Sequence, residues 1–297
     1  MSISALAVPE LAGPARQQRR RWRPPRSGKL LAGLVIVVFF LLLGFVGPLL
    51  TGDPNAISND GLTAPSAHHW LGTTQSGQDV LAQLLAGARG SITIGFLIGV
   101  LATVLSVLVG VTGGYLGGRI DESFSLFTNV ILVIPGLPLV IIVTDYIAER
   151  GVLTVALTIT ITSWAASARV LRAQTLSLRE RDYVRAARAS GERGWRIILV
   201  EILPNLLPVI ASQFIFAIIF GILSEAALSF LGLGGSDHLT WGTMLYFSWN
   251  AQALALGAWW WFVPPGLAIA LLGSGLSLIN FSFDEVINPR LRTAAAS

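Results

Sequence analysis

Long apolar segments, separated by short polar connections, run along most of the chain. A helix needs about 20 consecutive apolar residues to cross a hydrocarbon core of about 30 Å. Six segments approach or exceed this length, and each predicts a transmembrane helix. They are residues 30–50, 91–112, 123–144, 152–168, 206–233 and 258–283. The pattern therefore predicts an all-α integral membrane protein with six transmembrane helices.

The composition agrees with a membrane protein. Hydrophobic residues make up 53% of the 297 residues and charged residues only 12%, whereas about 25% of the residues of a soluble domain are charged. The chain has no cysteine, which excludes disulfides and thiolate metal sites. Its net charge of +4 would suggest a nucleic-acid partner for a soluble protein. The basic residues have a better explanation here, and we expect no nucleic-acid partner.

The basic residues predict the orientation of the six helices. All of the 20 lysines and arginines except Arg89 and Arg150 fall on one side of a six-helix topology. Cytoplasmic connections of membrane proteins carry such an excess of Lys and Arg. We therefore expect a multi-pass protein of the cell membrane (the plasma or inner membrane), surrounded by membrane lipid, with its N and C termini in the cytoplasm.

This topology divides the chain into four parts. Residues 1–29 are predicted to form a basic cytoplasmic tail, and residues 30–90 an N-terminal anchor helix followed by a polar external segment. Residues 91–283 form the predicted five-helix core, with a polar cytoplasmic loop at about 179–205, and residues 284–297 form a second cytoplasmic tail. We interpret the first helix as a retained anchor because its apolar run is longer than the about 7–15 residues of a signal peptide.

Residue patterns that carry catalysis are missing from the sequence. The phosphate-binding pattern G-x-x-x-x-G-K-[ST] is absent, because Lys29 is the only lysine and Leu30 follows it where Ser or Thr is required. We therefore expect that the chain is not an enzyme by itself. His68, His69 and His238 fall in predicted external loops without a carboxylate at metal-ligand spacing. We interpret them as solvated residues and expect no metal site and no cofactor on this chain.

Two further features lie near the predicted outer ends of the helices. Glu225 is the charged residue well inside a predicted span, and an ionisable group there is a functional hypothesis by default. Two interpretations stay open: a hydrogen-bonded structural residue, and a residue that lines a pathway or gate. Trp259, Trp260 and Trp261 begin the last span. We interpret them as an interfacial belt, with stacking on a ligand as the alternative.

The polar loop at 179–205 predicts a pair of short helices. In the first, small residues and one tyrosine recur at i, i+3, i+4 and i+7, namely Tyr183, Ala186, Ala187 and Ser190. Gly191 is suited to the left-handed conformation that ends a helix. In the second, an apolar stripe that we expect to pack on the bundle recurs at the same spacing, namely Trp195, Ile198, Leu199 and Ile202. Pro204 is predicted to break this helix before the fifth span.

The small-residue face of the first helix is edged by arginines. Small side chains let another backbone approach closely, and guanidinium groups bind carboxylates directionally. The residues alone therefore leave two alternatives open. One is docking of this helix into a cleft of another protein, and the other is a surface helix pair that only joins two spans.

Five stretches of the chain resemble one family. "YVRAARASGERGWRIILVEILPN" is similar to the EAA loop of ABC-importer permeases, in which Glu-Ala-Ala is followed by Gly and then by Leu-Pro. The residues that match this pattern are Ala186, Ala187, Gly191, Leu203 and Pro204. The other stretches are "HHWLGTTQSGQDVLAQLLAGARGSI" (68–92), "GGYLGGRIDE" (113–122), "SEAALSFLGLG" (224–234) and "INPRLR" (287–292). Together they resemble the C-type permease subunit of dipeptide and oligopeptide ABC importers.

This resemblance implies a type I ABC importer permease fold and a set of partners. The partners would be a homologous second permease subunit of the B type, two ATPase subunits or one fused ATPase that bind ATP and Mg, and an extracytoplasmic peptide-binding protein. The residues implied to couple the chain to the ATPase are Tyr183, Arg185, Ala186, Ala187, Gly191, Leu203 and Pro204. Importers for nickel or glutathione are related alternatives. An ion-driven secondary transporter and a scaffold without a pathway are rivals from other classes.

The chain departs from the resembled family at two places. The glutamate that usually precedes Ala-Ala is Arg185 here. A salt bridge from this position must therefore have the opposite sign and another partner. In the external segment, Thr74 and Gln78 stand where the family usually has Asp and Arg.

Overall fold

The fold is a bundle of helices. The computed structural model describes residues 28–147, 151–235 and 238–287, with side chains up to Phe283. Within these residues the chain forms helices and an isolated bridge between Thr73 and Asp79, so the predicted all-α fold is confirmed. The predicted tails, up to residue 27 and from residue 288, and Arg150 lie outside the described residues.

The helices differ in length from the predicted spans. Their bounds are α1 Gly28–Phe45, α2 Gly47–Leu50, α3 Val80–Leu116, α4 Gly118–Val133, α5 Gly136–Asp145, α6 Val152–Arg179, α7 Asp182–Ala189, α8 Gly194–Ile197, α9 Leu203–Phe230, α10 Trp241–Asn250 and α11 Trp259–Ile287. A π-helical turn, Ile198–Ile202, joins α8 to α9. In the described part of the chain, five helices are long and apolar enough to cross a membrane, and the bent pair of α4 and α5 is a sixth if the two helices form one span.

The third predicted span is a broken helix. Residues 123–144 predict one continuous helix, but the chain bends by 86° between α4 and α5. Ile134 has an extended backbone with ψ 126° before Pro135. A residue that precedes proline is disfavoured in the helical conformation, because the proline ring collides with its backbone. The prediction of a straight third span is therefore wrong, and Pro135 supplies the reason.

The long helix α3 packs against α6 and α9 through its glycines. A Cβ atom at Gly95 would collide with Ile222 of α9, and one at Gly110 would collide with the carbonyl of Ala168 in α6. At the middle of α3, Ser106 Oγ donates to the carbonyl oxygen of Trp164 at 2.8 Å. Small residues let helices approach closely where lipid tails provide no hydrophobic driving force between them. Close packing on both sides therefore makes α3 the central helix.

The first helix, α1, lies against α11 at another pair of glycines. A Cβ atom at Gly33 would be 2.7 Å from the carbonyl oxygen of Gly275, and one at Gly275 would be 2.6 Å from Ile36. The opposite side of α1 exposes large apolar residues, including Leu31, Val35 and Leu42. An exposed apolar surface of this kind suits contact with lipid tails.

Residues 234–257, which separate the fifth and sixth predicted spans, contain the helix α10. Thr240 and Thr243 form a capping box at its start, which satisfies two backbone N–H groups that would otherwise lack an acceptor. Trp241 is buried. Its backbone N–H donates to Ser91 Oγ at 3.0 Å, and its indole Nε1 donates to the carbonyl oxygen of Leu84 at 3.1 Å. The structure therefore contains a helix, packed into the bundle, where none is predicted between the fifth and sixth spans.

The three tryptophans at the start of α11 have different surroundings. Trp259 is 54% exposed, whereas Trp261 is 5% exposed. Trp260 Nε1 donates to the carbonyl oxygen of Thr73 at 3.2 Å, so this indole holds the segment before α3 against α11. An interfacial belt therefore suits Trp259 and does not describe its two neighbours.

The glycine contacts of α3 generate a stability prediction. Replacing Gly110 by Val places atoms against the backbone of α6, so we expect the free energy of unfolding to fall by about 1–3 kcal/mol. Gly273→Val is the matched control, because a Cβ atom at Gly273 meets nothing within 4 Å. Thermal unfolding of both variants in detergent measures the difference. Equal unfolding midpoints would contradict the importance of this helix contact.

Candidate functional site

The helix α7 lies between α6 and α9, at the loop where coupling residues are predicted. It ends in a Schellman motif: the backbone N–H of Glu192 donates to the carbonyl oxygen of Ala187 at 3.2 Å, and that of Gly191 to Arg188 at 3.1 Å. Gly191 has a φ of +78°, a conformation that glycine adopts without a steric penalty. The prediction that Gly191 ends the helix in the left-handed region is confirmed.

One side of α7 packs on the bundle, and the residue that does most of this packing is Val184. Val184 is fully buried in a cluster with Tyr115 and Leu171, and Ala187 packs partly against the same cluster. Ala186 is exposed, and Tyr183 is 40% exposed. The predicted small-residue face is therefore divided, with Ala186 open to solvent and Ala187 turned towards the bundle. Val184 is not among the predicted site residues, although its spacing of three from Ala187 is a signal of a buried face.

The end of α3 holds α7 and α8 in place. The guanidinium carbon of Arg188 lies 5.5 Å from the centroid of the Tyr115 ring, within the range of a cation–π interaction. A Cβ atom at Gly194 would lie 3.2 Å from the same ring. Arg179 Nη1 also donates to the carbonyl oxygen of Gly114 at 3.2 Å. The candidate coupling helix is therefore bound directly to the central helix as well as to its neighbours in sequence.

The second helix of the predicted pair is shorter than expected and is not a separate helix. It is the four-residue helix α8 followed by the π-helical turn, which continues into α9. Trp195 and Leu199 are 59% and 54% exposed, whereas Ile202 is fully buried. A π-helical turn has a wider period than an α-helix, so residues at i+3, i+4 and i+7 no longer share one face. The prediction that the whole apolar stripe packs on the bundle is wrong.

Pro204 and Leu203 lie at the start of α9 and do not interrupt the chain's helical path. Pro204 occupies one of the first two positions of α9. The N–H group of Leu203 still donates to the carbonyl oxygen of Ile198 in the π-helical turn, and Pro204, which has no N–H group, is tolerated at the start of a helix. The predicted break at Pro204 is therefore wrong. Both residues remain part of the predicted coupling set, about one helical turn beyond α8.

Arg185 has a partner inside the chain. Its Nη2 donates to Glu180 Oε2 at 2.8 Å, while Glu180 Oε1 accepts from Arg179 Nε at 3.3 Å. The hydrogen bond from Arg185, followed by that from Arg179, lowers the pKa of the Glu180 carboxyl below its ordinary range. The pair is therefore fully charged at neutral pH. Arg185 itself remains 63% exposed, so most of its surface is open to another molecule.

Glu225 lies within the bundle formed by this chain. It is 1% exposed, and its Oε1 accepts from Ser229 Oγ at 2.7 Å. The residues that the structure describes supply no hydrogen-bond partner for its Oε2. This carboxyl group borders a cavity of about 10 Å³ that Thr240 and His238 also line. The hydrogen-bonded structural interpretation fits these contacts, and a role in a pathway or gate stays a prediction.

The two departures in the segment before α3 contact each other. Thr74 is 1% exposed. Its backbone N–H donates to the carbonyl oxygen of Gln78 at 2.9 Å, and the backbone N–H of Gln78 donates to Thr74 Oγ1 at 3.2 Å. Gln83 Nε2 donates to Gln78 Oε1 at 2.9 Å. A neutral, hydrogen-bonded turn therefore occupies the place where the resembled family usually has two opposite charges.

His69 contacts two carboxylates in the same segment. Its Nδ1 lies 2.7 Å from Asp79 Oδ2, and its Nε2 lies 3.4 Å from Asp60 Oδ2. Asp79 Oδ1 accepts from the backbone N–H of Ala82 at 2.9 Å and so caps α3. The hydrogen bond to Asp79, with a smaller contribution from Asp60, raises the pKa of His69 above its ordinary value. His69 is therefore only partly open to solvent and is held by two carboxylates, which the interpretation of a solvated loop histidine did not include.

No group of His, Cys, Asp or Glu side chains within the described ranges is suited to a metal ion. Asp60 and Asp79 lie at the two different nitrogens of the His69 ring, so these three groups do not converge on one point as the ligands of a zinc site must. The features that distinguish the chain are therefore its apolar helices and the exposed helix α7 between two of them.

Comparisons with known proteins agree with these features. The family model "Binding-protein-dependent transport system inner membrane component" matches residues 102–293. The dipeptide transport system permease protein DppC of Bacillus subtilis is 33% identical over 279 residues, which cover 91% of this chain and 85% of that protein. The oligopeptide transport system permease protein OppC of the same organism is 32% identical over 271 residues, covering 90% of this chain and 88% of that protein.

A solved structure shows the same fold. The chain matches a subunit of the MetNI methionine ABC transporter with a TM-score of 0.54 and 18% identity, over 70% of this chain and 95% of that chain. Fold and relatives together define a multi-pass membrane permease with the type I ABC importer fold. The chain belongs to the family of binding-protein-dependent transport system inner membrane components.

The contacts of His69 generate a pH prediction. Because its pKa is raised in the folded state, the charged imidazole stabilises the fold fully below the unfolded pKa of about 6.5, and this contribution is lost as the pH rises through the folded pKa. We therefore expect Tm in detergent to fall over this range for the unmodified protein, and His69→Gln to remove this part of the pH dependence. His68→Gln, which changes an exposed neighbour, is the control. A variant at His69 with an unchanged pH profile would refute the assignment.

Proposed function

We propose that this chain is the permease subunit of an ATP-driven, binding-protein-dependent importer of dipeptides or oligopeptides. It forms half of a translocation pathway with a second, homologous permease. The observation that supports the proposal is the helix α7, which lies between two spanning helices. Its exposed Ala186 matches a position of the family's EAA pattern. Peptide transport is supported by the names of relatives that are 30–33% identical, among them the dipeptide permease of Bacillus subtilis.

Hydrolysis of ATP takes place on other chains in this proposal. Two ATPase subunits, or one fused ATPase, bind ATP and Mg and receive α7 in a groove on the cytoplasmic side. A docked helix transmits motion only if its contacts differ in energy between the open and closed states of the ATPases. The contact surface proposed for the groove consists of Tyr183, Arg185, Ala186 and Gly191, with Ala187, Leu203 and Pro204 supporting the geometry of the loop.

The connection of α7 to Tyr115 suggests how the motion spreads. Displacement of α7 acts on the end of α3 through Val184 and the contact between Arg188 and Tyr115. Because α3 is closely packed on α6 and α9, the three helices move together as one body. Such a rigid-body movement exposes the pathway first to the extracytoplasmic binding protein and then to the cytoplasm. Identifying the ligand of the co-purifying binding protein distinguishes peptide from nickel or glutathione.

Substitution of Ala186 tests the coupling surface. Ala186→Trp adds a large side chain at an exposed position of α7, so we expect peptide-stimulated ATP hydrolysis by the assembled complex to fall at least about tenfold, equivalent to a docking loss of about 1.4 kcal/mol. Ala186→Ser keeps a small side chain and serves as the control. Insertion of the chain into the membrane should be equal in both variants. Normal coupled hydrolysis with tryptophan at this position would exclude α7 as the coupling element.

The orientation is testable because the chain contains no cysteine. Single cysteines at Asp53, in the segment before α3, and at Ala189, at the end of α7, lie at exposed positions. A maleimide that does not cross membranes should label Asp53→Cys in intact spheroplasts. It should label Ala189→Cys only after permeabilisation. The reverse pattern would place α7 outside the cell and remove the proposed contact with ATPases.

A further inference from the structure

The surface around α7 has an excess of positive charge. The stretch 179–196 contains six arginines and three carboxylates, namely Arg179, Arg181, Arg185, Arg188, Arg193, Arg196, Glu180, Asp182 and Glu192. All of these arginines from Arg181 onwards are exposed. Close charges of one sign on an exposed surface favour a partner of the opposite sign.

The carboxylates of this stretch do not neutralise the surface. Glu180 is shared between Arg179 and Arg185, and Glu192 Oε1 accepts from Arg196 Nη1 at 3.0 Å. One carboxylate therefore faces two guanidinium groups next to α7. A guanidinium group has five N–H donors, and the contact of Arg185 with Glu180 uses Nη2. Within the described part of the chain the other donors of Arg185 have no acceptor, and the side chain is 63% exposed, so these donors can receive a second carboxylate.

Arg185 also occupies the position directly before Ala186 and Ala187. The EAA pattern has a glutamate at this position, so a groove built for the pattern would receive a negative charge there. A groove that binds a glutamate offers positive charge or hydrogen-bond donors. A guanidinium group placed against it would be repelled or would lose water without gaining an acceptor, and both are unfavourable. The pairing of Arg185 with Glu180 does not remove this conflict, because the arginine stays exposed beside the docking face.

We propose that the ATPase groove that receives α7 is acidic opposite Arg185, and that a carboxylate of the ATPase binds this arginine. The inference rests on the proposed function, since it identifies the chemistry of the partner at the coupling surface. Arginine and carboxylate form paired, directional hydrogen bonds, which fixes the position of α7 in the groove. The reversed charge also discriminates against ATPases whose grooves fit a glutamate, so this permease selects its own ATPase.

Exchanging the charges of Glu180 and Arg185 separates binding of Arg185 to the ATPase from its contact with Glu180. Arg185→Glu removes the positive charge and also places two carboxylates next to each other. The double variant Glu180→Arg, Arg185→Glu restores an opposite pair between the two positions but leaves a negative charge beside Ala186. The complete complex of permeases, ATPases and binding protein is assembled in nanodiscs of neutral lipid. The affinity of the ATPases and peptide-stimulated ATP hydrolysis are then measured for each variant.

We expect Arg185→Glu and the double variant both to weaken ATPase binding by at least about tenfold, and Glu180→Gln to bind within about twofold of the unmodified chain. Raising the ionic strength should weaken binding of the unmodified chain more than that of the double variant, because salt screens the attraction. Recovery of normal binding in the double variant would overturn the inference, since Arg185 would then act only within the chain.

Further measurements separate failure of this inference from failure of the proposed function. If Arg185→Glu has an effect in bilayers with anionic lipid and none in neutral lipid, the arginine binds headgroups and the inference fails. If Ala186→Trp prevents coupling while the double variant couples normally, α7 docks on the ATPase but the groove is not acidic, and the inference fails alone. If neither variant changes coupling, the proposed function itself fails.

Discussion

The close approach of α3 to α6 and α9 is the contact on which the rest of the structure depends. Lipid tails are as apolar as leucine, so the association of helices in a membrane relies on packing and hydrogen bonds. Glycines such as Gly95 and Gly110 bring the backbones into direct contact, and Ser106 adds a hydrogen bond to the carbonyl of Trp164. The helix that results is central enough to hold α10 at one end and α7 at the other.

Both ends of α3 carry specific polar contacts with residues far away in sequence. At its first turns, Trp241 of α10 donates to Ser91 and Leu84. At its last turn, Tyr115 contacts Arg188 and the backbone at Gly194. A displacement at α7 therefore acts on a helix that reaches the opposite end of the bundle. This continuity gives a physical basis for the coupling to an ATPase that we propose.

At the positions where the chain departs from the resembled family, the side chains find hydrogen-bond partners close by in the sequence. Arg185 meets Glu180 five residues earlier, and Thr74 and Gln78 form hydrogen bonds with each other. In each case the structure gives the polar atoms partners inside the chain, because polar groups without partners destabilise a fold. The difference is in exposure: Thr74 is buried, whereas Arg185 is largely open. Arg185 therefore presents most of its surface to another protein, whereas Thr74 does not.

The membrane class, the positions of most apolar spans and the polar loop that contains α7 could be predicted from the sequence alone. These features depend on apolar length, on basic residues near helix ends and on a local pattern such as the glycine at Gly191, which each act over a few residues. The tertiary structure decided the bend at Pro135, the helix α10, the π-helical turn before α9 and the carboxylate partners of His69. Their outcome depends on contacts between distant segments or on small changes of helical period, which apolar periodicity does not record. For the same reason, the sequence pattern does not predict that Val184 and Tyr115 hold α7 in place, because they share a buried cluster only in the packed bundle.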